Sequence, residues 1–108
     1  MKKPAESLTD LGRFSEPALL ILISLAGGPK HGYAMTQDIE AISGQQLGPG
    51  TLYGAIARLE ARSWIEPLPA VERRRPYRLT AEGQSVLRAR LEGLRAVTRA
   101  AQARLVRA

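Results

Sequence analysis

The segment that decides the fold runs from residue 32 to residue 62 and reads GYAMTQDIEAISGQQLGPGTLYGAIARLEAR. Each half carries three apolar residues at intervals of four and three, the spacing of one helix face. These residues are Met35, Ile39 and Ile42 in the first half, and Leu52, Ile56 and Leu59 in the second. Gly44 is suited to end a helix, and Pro49 to occupy the first position of the next. The pattern predicts helices from about Gly32 to Ser43 and from Gly48 onward, joined as a helix-turn-helix.

An apolar run, ALLILISLA at residues 18–26, precedes this segment. It predicts a buried central helix that starts near Ser15, a plausible N-cap, and ends at Gly27-Gly28-Pro29. A short helix from about Ala5 to Gly12 is expected before it. The run is too short to cross a bilayer, which takes roughly 20 apolar residues. We therefore expect no membrane partner and a cytoplasmic protein.

Beyond Trp64 the periodicity changes from helix to strand. Residues 65–69 and 75–79 are predicted as two short strands of a hairpin, joined by a loop that contains residues 70–74. Pro67 and Pro69 are two residues apart in the strand, so the two positions that lack an N–H would both face the unpaired edge of the hairpin. Trp64 is expected to fill the junction between the third helix and the hairpin, with ligand stacking as the alternative.

The last predicted helix runs from about Ala81 to Val106, with Thr80 as its cap, and would be roughly 39 Å long. Six residues follow the spacing of a coiled-coil seam: Leu87, Leu91, Leu94, Thr98, Ala101 and Leu105. So long a helix cannot bury this seam on its own small domain, and we expect a second copy of the chain to cover it. The alternative is a helix folded back on its own domain.

These elements predict a mainly α fold with a small β-hairpin, a winged helix-turn-helix plus a long C-terminal dimerisation helix. Residues 1–80 would form the winged helix-turn-helix domain, with residues 1–14 as an N-terminal extension. Residues 81–108 would form the dimerisation helix.

Composition argues against catalysis. The 108 residues include no cysteine and one histidine, which excludes disulfides, thiol catalysis and multi-histidine metal sites. The carboxylates are scattered, and no serine lies in a recognisable nucleophile motif. His31, beside turn glycines, is interpreted as a turn or cap residue. We expect no enzyme activity, no cofactor and no metal.

The net charge of +6 lies entirely in the second half of the chain. Residues 48–79 hold six arginines and three glutamates, and residues 80–108 hold six arginines and two glutamates. This distribution suggests a face that meets a polyanion, although a solvated surface explains the charge alone equally well.

The third helix offers the strongest candidate for DNA contact. Its start, Gly48-Pro49-Gly50, would let backbone N–H groups approach a phosphate, and Thr51 and Tyr53 would reach base edges and phosphates. Thr51 could instead cap the helix, and Tyr53 could pack in the core. Arg73, Arg74 and Arg75 form a positive hairpin tip that would enter the minor groove or follow phosphates, with an exposed charge run as the alternative.

Four segments in order resemble signature blocks of PadR-family transcriptional regulators. They are GPKHGY at 28–33, PGTLY at 49–53, RLE at 58–60 and RRPYRLTAEG at 74–83. The resemblance covers about residues 15–105, and one helix after the hairpin is similar to the small subclass of the family. Two positions depart from the pattern, since Gly48 stands where a capping serine is common and Trp64 where a smaller residue is usual.

The resemblance implies a homodimeric, nucleoid-associated repressor that binds double-stranded DNA at a palindromic operator. It places Pro49, Gly50, Thr51 and Tyr53 on the DNA-reading helix, with Tyr33 and the wing arginines near phosphates. Gly48 and Arg58 complete the predicted DNA-binding set. Release by a small aromatic or hydrophobic effector is a further expectation. The alternative function is a winged-helix interaction module that docks on an acidic protein.

Overall fold

A computed structural model describes residues 7–107. These residues form a 3-10 helix, four α-helices and three short strands. Their order is the 3-10 helix (Leu8–Phe14), α1 (Ser15–Ala26), β1 (Lys30–His31), α2 (Gly32–Ser43), α3 (Pro49–Ala61), β2 (Ile65–Pro67), β3 (Pro76–Leu79) and α4 (Ala81–Arg107). This mainly helical winged-helix architecture confirms the predicted fold class.

The N-terminal part differs in detail from the prediction. A 3-10 helix with a kink at Gly12 replaces the expected helix over residues 5–12, whose first two residues lie outside the described chain. The α1 helix does begin at Ser15, but Ser15 has helical dihedral angles and its N–H donates to the Gly12 carbonyl oxygen. Ser15 is therefore a helical residue rather than an N-cap.

The core forms around α1, which packs against α2, α3, α4 and the 3-10 helix. The stripe Leu52, Ile56 and Leu59 is buried, as are Met35 and Ile39. The prediction that the third residue of the α2 stripe is buried was wrong: the Ile42 side chain is 51% exposed. Ile42 lies in the last turn of α2, immediately before Ser43 ends the helix, beyond the part of α2 that packs on the core.

The sheet has three strands in the order β1-β3-β2, one more than the predicted hairpin. In the additional pairing, Lys30 lies opposite Tyr77 and His31 opposite Pro76. A two-residue strand is too short to show a period of two, which is why the sequence pattern missed it. The β2 strand ends at Pro67, earlier than predicted, and Pro76 occupies the first position of β3, where proline is tolerated.

The α4 helix leaves the winged domain as predicted, with Thr80 Oγ1 accepting a hydrogen bond from the Gly83 N–H at 3.0 Å. Leu87 is 6% exposed and belongs to the core of its own domain. Leu105, near the other end of the helix, is 73% exposed. Across residues 7–107, no helix combines the length and apolarity that a membrane span needs.

Candidate nucleic-acid interface

The start of α3 is open to solvent. Gly48 is the N-cap residue and provides no side-chain cap, and Pro49 occupies the first turn. Gly48, Pro49, Gly50 and Thr51 are all exposed. Because the cap position belongs to Gly48, Thr51 lies inside the helix and does not cap it. First-turn N–H groups without a side-chain acceptor can bind an anion such as a phosphate.

A cleft of about 440 Å³ separates the starts of α2 and α3 from the hairpin, and we call it the wing cleft. It brings together five of the predicted DNA-binding residues: Tyr33, Tyr53, Arg73, Arg74 and Arg75. A smaller, mainly apolar groove of about 240 Å³ adjoins it, where Pro49, Leu47 and Thr36 meet the same two tyrosines. These two grooves contain six of the predicted DNA-binding residues, and the other four line neither groove: Gly48, Gly50, Thr51 and Arg58.

Two tyrosines form the helical wall of the wing cleft. Tyr53 is 55% exposed, which rules out the alternative that it packs in the core. Its phenol lies against Gly32, where an added Cβ would stand only 2.6 Å from Tyr53 Oη. Tyr33, also exposed, accepts a hydrogen bond at Oη from Gln37 Nε2 at 3.2 Å. Gly32 therefore leaves the space that Tyr53 occupies at the start of α2.

The opposite wall is the wing, which comprises β2, β3 and the connecting residues 68–75. Its tip is a two-residue turn closed by two hydrogen bonds between the backbones of Val71 and Arg74, at 2.8 and 2.9 Å. Glu72 and Arg73, the two turn residues, both have positive φ angles of 51° and 66°. Arg75 Nη1 donates to the Leu68 carbonyl oxygen at 2.7 Å, which fixes the base of the tip.

The wing cleft is electropositive. Three arginines line it, and among the described residues no carboxylate does. Lys30 pairs with Asp38, Arg78 with Glu66 and Arg95 with Glu92, and no ion pair among the described side chains involves Arg73, Arg74 or Arg75. A cleft with one sign of charge raises the local concentration of oppositely charged ligands.

Tyr77 projects into the same cleft from the central strand β3. Burial raises the pKa of the Tyr77 phenol above its ordinary value of 10.0, and the Glu60 carboxylate raises it further, while Arg75 opposes the rise. At neutral pH the phenol is therefore protonated and offers an O–H donor to an anionic ligand.

Comparison with known proteins identifies the family. The sequence model of the transcriptional regulator PadR-like family matches residues 21–89, which include α2, α3 and the wing. The chain belongs to the PadR-like family. This agrees with the resemblance found in the signature blocks, and because the family consists of transcriptional regulators, it also confirms the prediction that the chain is not an enzyme.

Solved structures agree with this PadR-like assignment. A transcriptional regulator from Clostridium thermocellum is 28% identical, with a TM-score of 0.72 over 87% of this chain and 93% of that chain. A PadR family transcription regulator from hypervirulent Clostridium difficile is 26% identical, with a TM-score of 0.74 over 82% of this chain and 97% of that one.

A curated relative is closer in sequence but much longer. An uncharacterized 37.1 kDa protein in a transposon of Streptomyces fradiae is 49% identical over 75 residues, 69% of this chain. The PadR-like chain spans 22% of the length of that protein.

The structure of the PadR-like chain gives other predicted residues structural roles. Arg58 lines neither groove, and its Nη1 donates to the Gly54 carbonyl oxygen one turn earlier at 2.9 Å. Trp64 is 4% exposed and belongs to the core, which confirms its predicted place at the junction of α3 and the wing. His31 caps α2 as predicted, with Nδ1 accepting from the Ala34 N–H.

The sequence did not predict that three of the residues lining the wing cleft belong to the DNA-binding surface: His31, Gly32 and Tyr77. His31 was interpreted only as a cap, and Tyr77 only as a strand residue. Their position depends on the pairing of β1 with β3, which joins residues more than forty positions apart. The only local signal is the alternation along β3, which puts Tyr77 on one face and Arg78 on the other.

Proposed function

We propose that this chain is a homodimeric repressor that binds palindromic operator DNA. The observation that carries the proposal is the wing cleft, where exposed tyrosines of α2 and α3 face three arginines that have no carboxylate partner among the described residues. Membership of a family of transcriptional regulators supports the same conclusion.

In this proposal α3 enters the major groove by its N-terminal end. Gly48, Pro49 and Gly50 offer a backbone that can approach a phosphate, and exposed Thr51 and Tyr53 reach base edges or neighbouring phosphates. The wing tip, with Arg73, follows the adjacent backbone or enters the minor groove. Arg58 is outside this proposed surface because its guanidinium is turned back on α3.

The dimer contact is proposed for the exposed part of α4. Leu91 and Leu105 are exposed hydrophobic residues on the seam, and Leu94, Thr98 and Ala101 share it. Pairing two copies along this seam would bury apolar surface that one chain leaves in water. It would also present two copies of α3 to successive major grooves, about 34–36 Å apart. We therefore propose residues 1–80 as the DNA-binding domain and α4 as the dimerisation helix, in a protein located with the nucleoid.

Binding should be measured on the DNA upstream of the gene that encodes the chain, at several salt concentrations. We expect protection of a palindrome and an affinity that falls steeply with salt, because each neutralised phosphate releases counterions. Mixed-sequence duplex DNA serves as the control and should bind more weakly, with no protected site. Failure to protect any palindrome at low salt would exclude the operator.

Replacing Arg73, Arg74 and Arg75 together with alanine separates the repressor from a module that docks on an acidic protein. We expect the triple variant to lose DNA affinity and to reduce the slope of log affinity against log salt by up to about 2.7 for each subunit, while it remains dimeric. DNA binding unchanged by this variant would contradict the proposed role of the wing and favour the interaction module.

A further inference from the structure

Each of the two ring nitrogens of His31 faces an N–H donor of another residue. The Ala34 backbone N–H points at Nδ1 with a distance of 3.3 Å, and Arg74 Nη1 lies 3.2 Å from Nε2. A neutral imidazole has one acceptor nitrogen and one donor N–H, and a guanidinium can only donate. Only one of the two contacts can therefore be a hydrogen bond, and the other places two donors face to face.

The contact with Ala34 is the one that the fold maintains. It satisfies a first-turn N–H of α2 that has no partner within the helix, and Ala34 is half-buried. Arg74, by contrast, is exposed and can donate to solvent. With Nδ1 as the acceptor, the imidazole proton resides on Nε2, and Nε2–H and Arg74 Nη1–H point into the same space.

Other contacts hold this pair of donors in position. The Arg74 guanidinium lies over the Tyr33 ring, 5.9 Å from its centroid, and the Arg74 backbone pairs with Val71 in the wing turn. The His31 backbone pairs with Pro76 in the sheet. Both side chains line the wing cleft, and in the part of the chain that the structure describes no carboxylate lines it to supply an acceptor. The missing acceptor is thus expected from outside the chain, and beside three arginines an anionic oxygen fits best.

We propose that His31 and Arg74 together bind one phosphate oxygen of DNA. This proposal rests on the proposed function, because the wing cleft adjoins the exposed start of α3. The phosphate would replace a contact between two donors with two hydrogen bonds, one of them charge-assisted. It would also join the wing to the start of α2 through a single phosphate of the DNA backbone.

The tautomer of His31 tests the first step directly. The chain has one histidine, so the imidazole NMR signals all belong to His31 and need no assignment to a residue. In alkaline buffer, where an imidazole is neutral, we expect the Nε2–H tautomer in the free protein. The Nδ1–H tautomer would overturn the proposal, because Arg74 would then donate a satisfied hydrogen bond to Nε2.

Two NMR titrations, one with duplex DNA and one with inorganic phosphate, distinguish DNA from a free anion as the ligand. We expect duplex DNA to shift the Nε2 signal, and inorganic phosphate at the same phosphate concentration to leave it unchanged. An equal shift with inorganic phosphate would assign the two donors to a small anion and overturn the DNA assignment. No shift with bound DNA would overturn the proposal entirely.

Affinity measurements test the coupling between the two residues. His31→Asn keeps a good N-cap side chain but lacks the Nε2 donor, and Arg74→Ala removes the other donor. We expect each variant to lose about tenfold in DNA affinity for each subunit of the dimer, the lower end of the range for a hydrogen bond to a charged group. The double variant should lose little more than Arg74→Ala, because both residues bind the same phosphate.

The salt dependence separates the two roles. Arg74→Ala should reduce the slope of log affinity against log salt by about 0.9 for each subunit, whereas His31→Asn, which removes no guanidinium, should change the slope less. Arg99→Ala, an exposed arginine in the second half of α4, is the control and should bind as the parent does. Thermal unfolding of His31→Asn near the parent temperature would show that the cap is intact.

Multiplicative losses in the double variant, or parent-like binding by His31→Asn, would contradict the shared phosphate. If the parent binds DNA while His31→Asn binds equally well, only this inference fails. If the parent binds no duplex at any salt concentration, the proposed function fails as well.

Discussion

At the scale of single residues, Gly83 determines how closely α4 approaches the winged domain. A Cβ built on Gly83 would stand 2.0 Å from the Trp64 carbonyl oxygen and 2.8 Å from Leu79 Cδ1. The same carbonyl accepts a hydrogen bond from the Thr80 N–H at 3.1 Å, so the obstacle is backbone that cannot move easily. Only glycine fits between the first turn of α4 and the backbone of Trp64, directly before β2.

We predict that Gly83→Ala lowers the free energy of unfolding by about 2–3 kcal/mol, at the upper end of the overpacking range. Gly93→Ala, on the same helix with open space around it, is the matched control. It should raise the free energy of unfolding by about 0.5–1 kcal/mol, since alanine favours helix more than glycine does. Urea denaturation of both variants measures the difference, and equal effects would contradict the close contact with Trp64.

Lys30 shows why the net charge of a chain overstates the positive charge available at a binding surface. Lys30 adds to the charge of the chain, but its Nζ donates to the carbonyl oxygens of Ser24 and Gly28 and lies 3.9 Å from the Asp38 carboxylate. Asp38 also accepts a hydrogen bond from the buried Ser24 hydroxyl at 2.7 Å. Lys30 therefore joins α1, β1 and α2, and its charge does not contribute to the wing cleft.

At the scale of elements, the wing turn is built from unfavourable residues. Positive φ angles at both central positions of a two-residue hairpin turn favour asparagine and glycine, yet Glu72 and Arg73 occupy them. Left-handed backbone costs about 1–2 kcal/mol for an ordinary residue. The turn keeps an arginine at the tip of the wing at the expense of local stability.

We predict that Glu72→Asn stabilises the chain by about 0.5–1 kcal/mol, because asparagine adopts the left-handed region more readily. Glu72→Gln is the control, since it removes the same charge without that preference and should have little effect on stability. Thermal or urea unfolding compares the two variants, and equal stabilities would show that the turn is not strained. Both variants should bind DNA somewhat more tightly, because each removes a carboxylate next to the wing arginines.

At the scale of the whole molecule, α4 extends from a small winged domain. The described chain as a whole measures 55 × 40 × 23 Å along its principal axes. The buried residues of α4, Gly83 and Leu87, both lie in its first two turns. The remaining seam residues are exposed or half-buried, which leaves Leu91 and Leu94 as the first apolar side chains that a second copy could cover.

We predict that Leu91→Asp with Leu94→Asp yields monomers, because carboxylates buried opposite each other in a dimer would be strongly disfavoured. Leu87 is left unchanged because its loss would damage the core of the domain itself. Ala96→Asp with Ala103→Asp adds the same charge on the opposite face of the helix and should remain dimeric. Sedimentation velocity reports both, and a dimer of the leucine variant would exclude the seam.

Much of the fold follows from the sequence, because it depends on local patterns. The apolar stripes of α2 and α3, Gly44 at the end of α2, Thr80 as the cap of α4 and the change of period after Trp64 all depend on neighbours within one or two turns. The errors occurred where tertiary packing decides, as at Ile42, whose helical spacing is regular but whose turn extends beyond the core.

The sequence by itself determined the helix-turn-helix, the wing, the family blocks and the clustering of arginines after residue 48. Only the tertiary structure decided which of those charges face a common cleft: Arg74 approaches His31, whereas Arg58 and Arg78 bind partners within the fold. The physical reason is that helical and strand patterns arise from contacts between near neighbours. The wing cleft arises from the pairing of β1 with β3, whose residues no periodicity connects.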